Sequence, residues 1–527
     1  MIPKRRVSDV VSLVAPTGGI DDTSPLANMS DEFAIAMVNF FPEAGSLRSR
    51  GGYRRHATGL PSPAKTLIKF SGLSGFNDKL FACTDSGIYD VTLPGSSPSL
   101  VHPLTDGNCQ WTQYANIAGN WLIVCNGVDD AMIYNGTTWV DFAEVPTPTT
   151  PGQISGLDPS TIIDVHPHHG RLWFLELDST TAYYLPVNQV AGEMTAFPMA
   201  GGFSLGGYLN SLFTWTIDLG SDTEDILVLQ SSEGELAGYS GIDPSTVGYW
   251  QLRAKYSVGV PLSRKATVPH NGDQLLLTDY GLISLSELVG GRHALGDREG
   301  VKSGRISRTL NSLIRSRLSS EGWEIASAPA FQYIILSVPE YSGTPPFQFI
   351  MNSLTGAWTT FDLPAETFLE YNGMLYFADN AGVVYRHGDS DLDNVGLDGL
   401  GGSTISAGFQ QAHSYLGSPN VPKHFKLIKP IFESQGAPQY ALSISTDFSV
   451  EGGLAGLTTL ATPAVAGAVW DGAVWDVDLW PAGSTIHQEW IGLLGSGYSA
   501  SLSIKVSTAI ETRYVASSWV MESGTSL

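Results

Sequence analysis

The sequence has little charge, few cysteines and no long apolar run. Asp, Glu, Lys and Arg make up 15% of the 527 residues, while 43% are apolar. That composition lies far from the polar, highly charged chains that stay disordered, so a folded protein is expected. A chain of this length exceeds what one core usually supports, which implies several domains or one large repeat domain with appendages. Cys83, Cys109 and Cys125 are the only cysteines. An odd number without ligand spacing indicates neither a disulfide framework nor a zinc site, and it suits assembly in a reducing cytoplasm. No stretch approaches the ~20 apolar residues of a membrane helix. The N-terminal Met-Ile-Pro-Lys-Arg-Arg is not followed by an apolar core long enough for a signal peptide. Neither a spanning segment nor export by that route is expected, and neither a phosphate-binding glycine loop nor a Gly-x-Ser-x-Gly elbow is expected.

Basic residues are scarce as well. Twenty-eight Lys and Arg face 51 Asp and Glu, a formal charge of −23. Such a chain repels polyanions and gains little counterion-release energy from them, which disfavours tight nucleic-acid binding. A passage through which DNA must slide is compatible with that charge, because it must not grip phosphates.

Glycine is abundant: 58 residues, with 30 prolines, spread between short apolar runs. This is the composition of many strands joined by tight turns. Three segments share an apolar run, a polar turn and a Gly followed by a second apolar run: Leu80–Tyr89, Leu275–Ile283 and Leu375–Val384. Each reads as a hairpin whose glycine takes backbone angles that other residues avoid. Gly87, Gly281 and Gly382 lie 194 and 101 residues apart, close to four and two units of about 49 residues, a propeller-like period. Further hairpins are expected near Asn126-Gly127, between Leu172–Leu175 and Ala182–Leu185, around Glu233-Gly234-Glu235 and near Tyr341–Gly343. Trp139 and Trp358 each follow a glycine turn and are expected to pack between blades.

The fold class expected is all-β: a six- or seven-bladed β-propeller with an inserted helix, a C-terminal β-sandwich-like domain and an N-terminal extended arm. The boundaries are 1–57 for the arm, 58–390 for the propeller, 391–403 for a Gly/Asp/Ser-rich linker and 404–527 for the C-terminal domain. A short helix is expected near Phe33–Val38. Within 304–320, Ile306, Leu310, Leu313, Ile314 and Leu318 recur at helical spacing, which predicts the inserted amphipathic helix. Alternation in Ala441–Ser445 and Ala500–Val506 predicts sandwich strands.

From Leu26 to Tyr53 the chain contains Asn39-Phe40-Phe41-Pro42, then Gly45-Ser-Leu47-Arg48-Ser-Arg50 and Gly52-Tyr53. The segment resembles the opening of podovirus tail nozzle and tail-hub proteins. His169–Phe174 with Ala182–Pro186, Gly272–Leu285, Lys423–Leu427 and Ser443–Asp447 resemble later parts of the same family, so the likeness runs nearly full length. It implies a ring of identical subunits, usually a hexamer, in the virion tail. That ring would dock through an adaptor to the portal, carry tail fibres or spikes, and surround a DNA channel without sequence-specific binding. The termini are implied to meet at the adaptor-facing end. Terminal nozzle and proximal hub both remain open.

No catalytic residue, cofactor or metal is assigned. In His166-Pro-His168-His169 the alternating histidines face one side of a strand, but no acid or thiolate partner stands at a recognisable spacing. Asp389, Asp391 and Asp393 begin like a calcium loop, yet Asn394 and Leu400 stand where Gly and Glu are required. Ser353–Trp358 resembles a sialidase Asp-box turn without its acid, so the alternative reading is a carbohydrate-binding or glycan-cleaving propeller of the virion. The basic islands are candidate partner contacts: Lys4-Arg5-Arg6; Arg48, Arg50, Arg54 and Arg55; and Arg305, Arg308, Arg315 and Arg317.

Overall fold

The computed structural model describes residues 8–524 apart from 74, 76, 200, 219–222, 247, 291–300, 450–453 and 458–483. The basic island at residues 4–6 lies outside the described residues. The chain is nearly all β. Six four-stranded antiparallel blades and one three-stranded blade at the fifth position follow each other around a ring. Their innermost strands are Ala64–Phe70, Gln110–Asn116, Ile162–His168, Leu209–Asp218, Thr267–His270, Glu324–Ala328 and Thr367–Tyr371.

Each hairpin read from the sequence joins the second and third strands of one blade. Gly87, Gly281 and Gly382 sit in the first, fifth and seventh blades, four and two blades apart, with φ of 149°, 111° and 76°. Those positive angles explain why glycine marks the repeat. The seventh blade takes its outermost strand, Tyr53–Ala57, from near the start of the chain, paired antiparallel with Val384–His387. The ring is thus closed by a segment more than three hundred residues away in sequence.

Between blades the cores are aromatic. Trp139 of the second blade packs on Phe81 of the first at 5.3 Å between ring centroids. Trp173 of the third blade is fully buried and stacks on Trp250 of the fourth at 5.5 Å and 15°. Truncating Trp173 to Ala leaves a cavity where two blades meet. We expect a loss of about 3–5 kcal/mol, the usual cost of deleting a buried aromatic, read as a lower urea midpoint.

The sixth blade does not end at its fourth strand, Trp358–Phe361. That strand pairs in parallel with Gly19–Ile20 and Phe33–Val38, and the sheet continues through Ser403–Gln411, Ala500–Thr508 and Tyr440–Thr446. Residues 33–38, expected as a helix, are therefore a strand. Helix-favouring Ala and Met are overruled because both strand edges find partners here. A second sheet, built from Ser8–Val14, Phe40–Glu43, Ser46–Ser49, Lys423–Ser434, Thr485–Gln488, Ile491–Gly497 and Thr512–Ser523, faces the first. Phe409 meets Tyr514 at 4.7 Å and Phe40 at 5.8 Å across the gap. The arm is thus woven into the C-terminal sandwich, and the terminal strands pair from Ser8↔Glu522 to Val14↔Ala516. One hydrophobic core runs from Trp519 through Phe409 to Leu336 of the sixth blade and Leu310 of the inserted helix, so propeller and sandwich share an interior.

Candidate docking surface

The resemblance motif forms the joint between sandwich and propeller. Asn39 takes φ 56° between the strands Phe33–Val38 and Phe40–Glu43, and its side chain donates to the Ser406 carbonyl at 2.8 Å. The Asn39 Oδ1 accepts from Arg50 Nε at 2.8 Å. Arg50 also makes a two-pronged pair with Asp393 at 2.6 and 2.7 Å and reaches Asp362 at 3.0 Å. Its side chain is 2% exposed, so it is an internal tie and not a partner contact as expected. The same joint occupies the acidic loop: Asp389 pairs with Arg386 and Arg54, and Asp393 with Arg50. The 391–403 segment is held by these pairs and by the Leu392↔Thr404 bridge.

Other arginines of the first island are also engaged. Arg48 pairs with Glu43 at 2.6 Å and lies over the Phe41 ring. Arg55 donates to Asn394 Oδ1 at 2.9 Å. In the second island the helix runs Ser307–Ser316 and buries Leu310 and Ile314, with Ile306 buried just before it. Asp22 caps it, accepting from the Arg308 and Thr309 amides at 3.2 and 2.7 Å. Arg305 pairs with Asp21 and covers Phe33 at 4.1 Å. Arg317 is buried and donates to the Pro339 carbonyl at 2.9 Å. Burial lowers its pKa. Arg308 and Arg315 stay exposed, without an ion pair among the described residues, beside a polar hollow lined by Thr23, Asn311 and Ser312. Of the eight candidate arginines, these two alone keep a side chain free of an ion pair or hydrogen bond among the described residues.

A larger exposed apolar feature was missed by sequence reading. On the outward face of the second sheet, Val10, Val520 and Leu427 stand in register across three strands, and Val14, Ala516 and Ile431 form another such row. Val10 and Val14 are each 64% exposed and Leu427 37%. Ser12, Ser518 and Lys429 separate the rows, and Lys429 Nζ lies 5.2 Å over the exposed Trp490 ring. Ile486 and Leu494 extend the exposed apolar area. Two rows of exposed apolar side chains on one sheet face make it a candidate interaction face. The available signal was apolar residues of both parities in Ser8–Val14, Val10 and Val14 against Val11 and Leu13, which a strand buried on one side does not need.

The histidines are held by the propeller itself. His166 Nε2 accepts the Thr214 amide at 3.1 Å, and His168 Nδ1 contacts Thr214 Oγ1 at 2.9 Å. Burial pushes their pKa values down to about 4 and about 3. Among the described residues no group of three or more His, Cys, Asp or Glu is placed to hold a metal. His387 lies fully buried among Phe331, Tyr333 and Phe361, and burial and then the Arg50 and Arg48 charges push its pKa to about 3. Its folded pKa lies below the unfolded value of about 6.5. The unfolded chain therefore binds the proton first, and the stability this neutral ring supports is lost as pH falls from about 6.5 towards 3. His387→Leu should remove one histidine's share of acid lability, about 1.4 kcal/mol per pH unit in that window. Urea denaturation at pH 7 and pH 5.5 measures it.

Contrary to the expectation of no such motif, Gly202-Phe-Ser204-Leu-Gly206 has the spacing of a nucleophile elbow. It lies in the loop between the third and fourth blades, where the Ser204 and Leu205 amides both donate to Glu235 at 2.7 Å. The strand–turn–helix context that exposes such a serine is absent there. The propeller bore is no duplex conduit. Lys265 Nζ, just before the fifth blade, donates to the Lys65 carbonyl and Thr66 Oγ1 of the first blade at 2.7 and 2.8 Å. Opposite walls therefore touch.

No family model matches the chain, and no curated protein matches it. Among solved structures it is similar to the computationally designed Ika8 protein, with 8% identity and TM-score 0.37, covering 67% of this chain and 96% of that one. It is similar to the Cps50 (Swd1) β-propeller domain of Myceliophteria thermophila, with 11% identity, TM-score 0.39 and coverage of 64% and 99%. A putative 6-phosphogluconolactonase of Bacteroides fragilis matches with 11% identity, TM-score 0.34 and coverage of 61% and 89%. The likenesses add nothing to function. Among the described residues no helix is long and apolar enough to cross a membrane.

Proposed function

We propose that this chain is a structural subunit of a short-tailed bacteriophage tail, a nozzle or hub protein that assembles into a ring around the DNA ejection channel. The observation that carries the reading is the exposed apolar face of the sandwich, fixed to the propeller by a sheet that runs unbroken from the sixth blade. An apolar face on a rigid platform suits permanent association. The paired terminal strands and a core shared with the propeller tie the sandwich to it, which suits a ring subunit. In this reading the platform seats on the adaptor and portal or on the next subunit, and the propellers project to where fibres or spikes attach.

In this reading the channel lies between subunits, which the Lys265 bridge across the single bore supports. Acidic subunits let DNA slide without capture. Repetition of one head-to-tail contact closes a ring when the rotation per subunit divides the circle, and the resemblance points to six. The role requires no bond to be made or broken.

Deleting the reading frame from the phage tests this. We expect filled heads that lack the distal tail and do not infect, with purified protein restoring both. Complete tails and undiminished infectivity would contradict the reading.

A further inference from the structure

At one end of the bore the innermost strands begin on polar residues. Gln110, Thr267, Glu324 and Thr367 are the first residues of the innermost strands of the second, fifth, sixth and seventh blades. They line a cavity of 250 Å³ together with Trp111 and Arg264. Its volume lies just below the range of roughly 300–1,000 Å³ usual for ligand pockets, which suits a single ring and not a chain.

The charged groups here are unevenly committed. Lys265 is spent on the first blade. Glu324 is buried and accepts the Phe368 amide at 3.2 Å. The Arg264 guanidinium has no hydrogen-bond or ion-pair partner among the described residues, although its charge reaches buried Asp164. The Gln110 amide likewise has none among those residues. A planar guanidinium open to a cavity matches a carboxylate in two-pronged fashion. The Gln110 amide and the Thr267 hydroxyl match ligand hydroxyls, whereas Thr367 and Glu324 are buried and bonded to each other, and Trp111 offers an aromatic surface of the kind that covers a sugar ring's apolar face.

We propose that this axial cavity binds an acidic monosaccharide, with Arg264 holding the carboxylate and Gln110 and Thr267 reading the hydroxyls. The site belongs to a single propeller and does not depend on ring assembly.

Calorimetry and saturation-transfer NMR on the full chain test it, with D-glucuronate, D-galacturonate and N-acetylneuraminate as probes and D-glucose and acetate as controls. At least one acid should bind saturably, and roughly ten- to a hundredfold more tightly than either control. Arg264→Ala should weaken that binding by a similar factor, the worth of a charge-assisted contact. Its unfolding midpoint should fall only slightly, because the guanidinium makes no hydrogen bond or ion pair among the described residues and acts on the fold only through its charge on Asp164. Gln110→Ala, also free of partners, should weaken the acid sugar and leave acetate unaffected, and it serves should the arginine variant fail to fold. Three outcomes would overturn the site: no binding by any of the acids, acetate binding as tightly as they do, or affinity unchanged in both variants.

Discussion

Replacing Arg50 by Met should cost about 3–5 kcal/mol, the usual loss when one member of a buried ion pair is removed and the other is left without it. Three parts of the chain converge on this side chain: Asn39 at the joint, Asp362 after the sixth blade and Asp393 after the seventh. Asp393 is 14% exposed, so water replaces the lost guanidinium poorly. A domain is stable by only about 5–15 kcal/mol, so the variant should unfold at a much lower urea concentration. Arg50→Lys keeps the charge but cannot reproduce the fork on Asp393, and an intermediate loss is expected. A midpoint unchanged in both variants would mean that the joint is held by its apolar contacts alone.

The second large effect concerns assembly. Val10→Asp with Leu427→Asp places two carboxylates on the outward sheet face, at positions that already meet solvent in the single chain. Folding should change little, since exposed substitutions usually stay within about 0.5 kcal/mol. In an interface each carboxylate must be desolvated, at several kcal/mol apiece, and about 1.4 kcal/mol is tenfold in affinity. Association through this face should therefore weaken by at least ~100-fold, which sedimentation velocity beside the parent chain would show. Undiminished association would move the interface elsewhere, with the Arg308 and Arg315 face of the helix the next candidate.

The propeller was legible because its signals are local. Each blade turn needs a residue that tolerates positive φ, and the glycines at 87, 281 and 382 supply it with the right count between them. The inserted helix was legible from Ile306, Leu310 and Ile314. What the sequence hid is non-local. Phe33–Val38 looks helical by composition and becomes a strand only because Trp358–Phe361 and Ser403–Gln411 lie on either side. Ser8–Val14 looks like a free arm because its partner strand is at the opposite terminus. Arg50 looks like surface charge because its acids are 312 and 343 residues away. The exposed apolar face was hidden for the same reason, since Val10, Leu427 and Val520 become neighbours only after the termini pair.

Electron microscopy of the purified chain, alone and mixed with its adaptor, together with its mass in solution, bears most directly on the ring. The account predicts closed rings of one symmetry, with the sandwich face buried between subunits or against the adaptor and the channel lying between propellers. A chain that stays monomeric at 56.4 kDa in both conditions, with the Val10 and Leu427 face open to solvent, would contradict it.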